Sequence, residues 1–188
     1  MIIETERLWL RPFTWDDLPE LLRIRQDEEV MRYLGGKAKQ TREFTEQRMR
    51  FYLETRERYG FGPGPVILKS GGAVAGWGGL QPLENTGEVE IGYGFSKPYW
   101  GQGYATEMAA AWLRYGFETA GLARVVAVAD PRNTGSWRVM EKLGMRHEKN
   151  AHHYGQECVF YAVSREEFKP REGFYAVREE SKGGGEER

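Results

Sequence analysis

The chain has 188 residues, with 27 Lys and Arg against 28 Asp and Glu, a formal net charge of −1, 13% aromatic residues and one cysteine. The charge balance excludes a global basic field for duplex nucleic acid or an anionic membrane, and the aromatic content excludes a disordered chain. The lone Cys158, a charged N-terminal stretch and no apolar run of bilayer length set the expectation of a cytoplasmic protein folding as one domain.

In chain order, Arg7 to Arg11 is a short strand-like run ended by Pro12. Thr14 with Asp17 three residues on is a capping-box variant, followed by apolar Leu18, Leu21, Leu22, Ile24, Val30 and Met31, which predicts an N-terminal helix closed by Gly35-Gly36. Residues 41 to 58 set Phe44, Met49, Tyr52 and Leu53 among many charges, the pattern of an exposed amphipathic helix. After a Gly/Pro cluster at 60 to 65, Val66 to Leu68 and Ala73 to Leu80 read as a hairpin, and Glu88 to Phe95 as a third strand. A helix from Ala105 to Phe117, a β-branched strand from Ala123 to Ala129, a helix from Ser136 to Leu143 stopped by Gly144, and strands near 145 to 148 and 157 to 164 complete the pattern. The fold class is therefore a mixed α/β sheet, antiparallel hairpins followed by a parallel crossover. The domain is expected to span 1 to 170, with 171 to 188 an extension whose end, Ser181 to Arg188, is disordered.

The stretch from Glu88 to Glu107 places a strand, a turn with Gly101 and Gly103, and a helix start in succession. Successive glycines let backbone N–H groups converge, and the helix adds the positive end of its dipole, which suits a pyrophosphate. By spacing alone the turn is equally well a ligand-free corner, because Gly-x-Gly-x-Ala lacks the third glycine of the dinucleotide fingerprint and the Lys-Ser/Thr of the P-loop.

Trp100-Gly-Gln-Gly-Tyr-Ala105, the upstream Glu90-Ile-Gly-Tyr93, and Asn133-Thr-Gly-Ser136 through Glu141-Lys-Leu-Gly-Met145 together resemble the GNAT superfamily of acyl-CoA-dependent N-acetyltransferases. Thr5 to Pro12 and Asp27 to Leu34 resemble its branch of ribosomal-protein N-terminal acetyltransferases. The resemblance covers residues 3 to 165. It implies a central, mostly antiparallel sheet with a splayed parallel pair flanked by helices, and acetyl-CoA as cosubstrate. The turn would hold the CoA pyrophosphate through Trp100, Gly101, Gln102, Gly103, Tyr104, Ala105 and Thr106, with Trp100 departing from the family's Arg or Gln. The strand before it would offer the backbone of Tyr93, Gly94 and Phe95 to the pantetheine arm and the thioester carbonyl. Asn133 would bind the cofactor or order the site, and Arg138 or Arg132 would meet a phosphate, in a stretch from 124 to 149 that carries six cations against three carboxylates.

Amide formation needs a neutral amine, so a base must take the ammonium proton. Glu90 lies at the family position for that carboxylate. Glu88, two residues away on the same strand face, would raise the Glu90 pKa and be raised by it, or attract a cationic substrate, and with Glu84 and Glu90 makes the strand entrance acidic. The family's Tyr acid falls on Met140, and the resemblance points to Ser136 instead; helix N-capping is the structural alternative for Ser136. Tyr33 and Phe61 are expected to line the acceptor cleft. His147, His152 and His153 complete no metal site, and no metal is expected. The six tryptophans come without a nucleic-acid-binding module, and core or cleft-wall positions are expected of them.

The implied function is transfer of an acetyl group from acetyl-CoA to a primary amine by direct attack in a ternary complex, the acceptor being a protein N-terminal α-amine. The alternatives are a small-molecule amine, polyamine or antibiotic, and a noncatalytic acyl-CoA-binding module. A monomer or homodimer without nucleic-acid or membrane partners is expected.

Overall fold

The computed structural model describes residues 1–179; the run 181–188, expected to be disordered, lies outside them. Nine strands form one sheet: β1 (Ile2–Thr5), β2 (Leu8–Leu10), β3 (Gly64–Leu68), β4 (Val74–Pro82), β5 (Val89–Phe95), β6 (Arg124–Ala129), β7 (Arg146–His153), β8 (Gln156–Ser164) and β9 (Tyr175–Arg178). Their spatial order is β7-β8-β6-β5-β4-β3-β2-β1-β9. Every neighbouring pair is antiparallel except β5 with β6. Five α-helices flank it: α1 (Leu18–Arg25), α2 (Glu28–Met31), α3 (Arg42–Tyr59), α4 (Tyr104–Glu118) and α5 (Thr134–Lys142). The mixed sheet with its single parallel pair is the fold class expected. None of the helices among the described residues is long and apolar enough to cross a membrane.

The faces of the sheet divide the molecule. A Cβ at Gly78 of β4 would meet Met108 of α4, so α4 and α5 cover that face with the larger core of Leu80, Ile91, Met108, Leu113 and Val125. Trp77, one residue earlier and so on the opposite face, packs with Leu21 and Ile24 of α1 and Met49 and Tyr52 of α3.

Several elements differ from the expected pattern for local reasons. The N-terminal helix breaks at Gln26, because the Asp27 carboxylate accepts from the N–H groups of Glu29 and Val30 and starts α2 anew. The Thr14–Asp17 box forms on a one-turn 3₁₀ segment, and Asp17 also takes Arg11 Nη2 at 2.6 Å. β1, too short to show a period, went unseen in the sequence. The segment after 170 contributes β9, which pairs along β1 from Ile2–Arg178 to Thr5–Tyr175. Helix α5 starts at Thr134, two residues before the expected Ser136.

Candidate active site

The register of β5 decides which of its main-chain groups are free. Leu83 N–H donates to Glu88 C=O at one end and Ser96 N–H to Ala75 C=O at the other, both at 2.9 Å, and the pairing with β4 between them is unbroken. Alternate residues of an antiparallel ladder turn both backbone groups to their partner. Glu90, Gly92 and Gly94 therefore engage β4, while Ile91, Tyr93 and Phe95 aim theirs at β6. β6 meets β5 in register only at Val126 with Glu90, after which the pair diverges and a gap opens beside Tyr93 and Phe95. This corrects the expectation for Gly94, whose backbone is occupied by β4. Its lack of a side chain has another cause, since a Cβ there would stand 2.3 Å from the Trp77 ring.

After β5, Trp100 folds back so that its indole Nε1 donates to the Phe95 carbonyl at 2.6 Å. Its departure from the family pattern thus acquires a role in closing the corner. Gly101 and Gly103 take φ of +74° and +82°, and Gly103 is the N-cap of α4. The first backbone bond into the helix runs from Glu107 N–H to Gly103 C=O at 3.0 Å, so the helix's leading amides remain available. Arg7 pins the turn from outside: Nη1 donates to Gln102 C=O at 2.9 Å, Nε meets Glu107 at 2.6 Å, and the guanidinium lies 4.4 Å from the Tyr104 ring centre. The Gln102 side chain bonds Pro98 C=O at 2.6 Å and does not line the cavity. The other turn residues, Trp100, Gly101, Gly103, Tyr104, Ala105 and Thr106, all do.

That cavity, about 930 Å³, runs from this turn through the β5–β6 gap to the wall made by α1 and α3. Glu90 lies in it, 3% exposed. Gln81 Nε2 donates to Glu90 Oε1 at 2.6 Å, and the Tyr154 hydroxyl donates to the same oxygen. Burial pushes the Glu90 carboxyl above the ordinary range, against the lowering effect of those two donors and the Arg48 charge. Burial also raises the Tyr154 phenol, and the neighbouring Glu90 charge adds to it, so the phenol keeps its proton.

On the other side of the gap, Asn133 caps α5 by accepting from Ser136 N–H at 3.3 Å. The capping alternative for Ser136 is thereby set aside. Ser136 Oγ lies 3.1 Å from the Tyr93 hydroxyl, whose pKa burial pushes up to about 12. Asn133, Ser136 and Arg138 line the cavity, and Arg138 has no ion pair among the described residues.

Other expected site residues divide. Tyr33 lines the cavity, and its carbonyl accepts from Gln156 Nε2 at 3.4 Å, which ties the turn after α2 to the β7–β8 hairpin. Phe61 does not; it is 3% exposed in the main core, stacked on Tyr59 at 5.7 Å. Glu88 lies outside the cavity, 3.3 Å from Arg124 Nε. Glu84 meets His153 Nδ1 at 2.8 Å. The acidic entrance expected from Glu84, Glu88 and Glu90 is therefore engaged with partners of its own. Arg132 is likewise committed, to Asp130 at 2.6 Å.

Sequence reasoning missed the residues that surround Glu90. Arg25, Arg48, Tyr52, Gln81 and Tyr154 line the same cavity from α1, α3, β4 and the β7–β8 turn. Their only shared signal is three-dimensional: Tyr154 lies 64 positions from its partner Glu90.

Comparison with known proteins adds independent findings. The profile of the acetyltransferase (GNAT) domain matches residues 7–146. The chain is 32% identical over 178 residues to the uncharacterized N-acetyltransferase YnaD of Bacillus subtilis, covering 89% of this chain and 99% of that one. It superposes on the GNAT-family acetyltransferase of Bacillus anthracis with a TM-score of 0.75 at 33% identity, over 89% of this chain and 100% of the other. RimJ of Mycobacterium smegmatis, solved with CoA-disulfide, shares the fold at a TM-score of 0.71 and 21% identity, over 89% and 88% of the two chains.

Proposed function

Because the chain belongs to the GNAT family of acetyl-CoA-dependent N-acetyltransferases, we propose that it acetylates an α-amine by direct attack, with Glu90 taking the ammonium proton. Acetyl-CoA, when bound, supplies the activated acyl group. The residues present fit it: the glycine turn leaves the first amides of α4 unpaired by backbone, the gap exposes the main chain of Tyr93 and the N–H of Phe95, and Arg138 lines the cavity without a carboxylate partner among the described residues. We assign the phosphates to Gly101, Gly103, Tyr104, Ala105 and Thr106 together with the main chain of Gln102, and a further anionic contact to Arg138. Tyr93 N–H or Phe95 N–H is the donor for the carbonyl oxygen on which negative charge develops.

The observation that carries this reading is Glu90 itself. A carboxyl whose pKa is raised by burial, three residues along β5 from the first amide that opens on the gap, holds a proton more firmly than an exposed carboxylate and so suits a base. The Gln81 and Tyr154 donors fix its orientation and keep it ionisable. Ser136, whose hydroxyl is held against Tyr93, would serve as the hydrogen-bond donor to the leaving sulfur, whose proton comes in the end from solvent; the Tyr93 phenol stays neutral.

An α-amine, with pKa near 8, is deprotonated far more easily than a lysine side chain near 10.4, which suits a carboxylate base. A protein or peptide N-terminus meets this condition fully, and a free amino acid, whose own carboxylate stabilises the ammonium, only in part. The polycationic acceptor loses its support, because Glu84 and Glu88 are already paired. The test is thiol release from acetyl-CoA with N-terminal peptides, small α-amines, polyamines and aminoglycosides, followed by intact-mass detection of the acetylated product. Transfer to α-amines supports the assignment, and no thiol release above background with any acceptor contradicts it.

A further inference from the structure

The α1–α3 wall of the cavity carries a charge that nothing described in the protein neutralises. Arg25 is 5% exposed and lines the cavity. Its Nε donates to the neutral Gln40 Oε1 at 2.9 Å, its guanidinium stands 5.3 Å from the Trp77 ring centre and 5.8 Å from that of Phe44, and no carboxylate pairs with it among the described residues. The groups that act on it electrostatically are the Tyr52 phenol, which also hydrogen-bonds it, and a second guanidinium, Arg48. Burial and that like charge both depress the Arg25 pKa. Burial acts to raise the Tyr52 phenol, yet the two arginines outweigh it and draw the pKa down. Arg48 reaches Gln81 Oε1 at 3.4 Å and lies toward Glu90.

A guanidinium held dry without an anion is costly unless its counter-charge arrives with a ligand. Phosphates of acetyl-CoA are not that counter-charge by placement. Arg25 packs on Trp77, on the α1–α3 face of the sheet, whereas the phosphate turn leads into α4 on the opposite face. Along the α1–α3 face the order is Arg25 at the level of Trp77 and Gly94, then Arg48 at the level of Gln81 and Glu90. An acceptor whose amine sits at Glu90 thus has Arg48 at its own level on that wall and the buried Arg25 further along it, at the level of Gly94.

Resting on the base assignment of Glu90, we propose that the acceptor is an amine bearing a carboxylate on the same molecule, with Arg25 as its anchor and Arg48 beside it. The planar fork of Arg25 suits a carboxylate, which it binds through two parallel N–H donors. The carboxylate belongs either to a free amino acid or to an acidic side chain at the start of a peptide.

Matched acceptor pairs test this: a free amino acid against its amide, and a tripeptide amide beginning with Asp against one beginning with Asn. kcat/KM is measured by thiol release for the wild type, Arg25→Gln and Arg25→Lys, with CoA affinity by calorimetry and folding by thermal melting. The carboxylate-bearing member of at least one pair is expected to be favoured at least tenfold, and the favoured pair tells free acid from peptide. Arg25→Gln is expected to remove that preference through KM, Arg25→Lys to restore part of it, and both to bind CoA like the wild type. Equal or better transfer to the neutral members, an equal loss on both members in Arg25→Gln, or a collapse of CoA affinity in that variant overturns the proposal while leaving the acetyltransferase reading standing. No transfer to any acceptor by the folded wild type overturns both. Should Arg25→Gln fail to fold, the same acceptor preference is read in Arg48→Gln, and an unaltered preference there overturns the proposal.

Discussion

Tyr154 donates its phenolic hydrogen to Glu90 Oε1 across 64 residues of sequence, from a two-residue hairpin loop that holds it with φ of +54°. Tyr154 and Gly155 are the two loop residues, closed by the pair His153–Gln156, and both have positive φ. Such loops favour Asn or Gly at the first position, so a tyrosine there accepts backbone strain of about 1 kcal/mol. Glu84 steadies the loop by accepting from Tyr154 N–H at 3.1 Å.

Removing the donor should move the Glu90 carboxyl's pKa. The Tyr154 hydrogen bond lowers the Glu90 pKa against the effect of burial, so Tyr154→Phe raises that pKa further. The acidic limb of the pH–kcat/KM profile is expected to shift toward alkaline pH, with activity reduced about tenfold near neutrality and largely regained above the new pKa. An unshifted limb with a uniform loss would show that Tyr154 acts by packing alone.

Stability should answer to the same carboxyl in the opposite sense. The folded pKa of Glu90 is raised above its ordinary 4.5, so its contribution is fully present below the unfolded value and is lost as pH rises through the folded value. Glu90→Gln carries no such loss. Its melting temperature is expected to match the wild type at acidic pH and to exceed it increasingly as pH rises, as followed by thermal melts across that range.

Two glycines of β5 should behave differently. A Cβ at Gly94 collides with the Trp77 ring at 2.3 Å, whereas one at Gly92 meets only the Gln81 amide at 3.4 Å, beside the cavity. Gly94→Ala is expected to cost about 1–3 kcal/mol by forcing Trp77 aside, while Gly92→Ala folds like the wild type. Denaturant melts of the two variants distinguish them.

At the turn before α4, Gly103 combines φ of +82° with a Cβ position 3.4 Å from Arg7 Nη2. Gly103→Ala should strain the N-cap by about 1 kcal/mol and disturb the leading amides of α4. Calorimetry is expected to show CoA affinity reduced about tenfold or more, with an acceptor KM that changes little.

Much of the scaffold was legible because it rests on local signals. The period of Arg42–Tyr59, the glycines of the turn before α4 and the Gly144 stop are all contiguous patterns. The turn, the opened strand and Glu90 could be named through resemblance in order along the chain. What stayed hidden depends on contacts between distant segments: Arg25 and Arg48 are two cations among many until α1 and α3 bury them on one wall. Phe61 was misplaced because an aromatic after a Gly turn looks the same whether it faces core or cleft. Glu88 shares a strand face with Glu90 in the sequence pattern, yet only the structure shows it held by Arg124 outside the cavity. The cap of α5 falls to Asn133 and not to Ser136, since either residue type can cap a helix.

The most direct measurement of the central claim is single-turnover acetyl transfer by Glu90→Gln, with CoA affinity determined on the same preparation. The account predicts unchanged CoA affinity and a transfer rate at least a hundredfold below the wild type near neutral pH, the difference shrinking as pH approaches the amine's own pKa. Transfer at the wild-type rate with CoA bound normally would contradict Glu90 as the base.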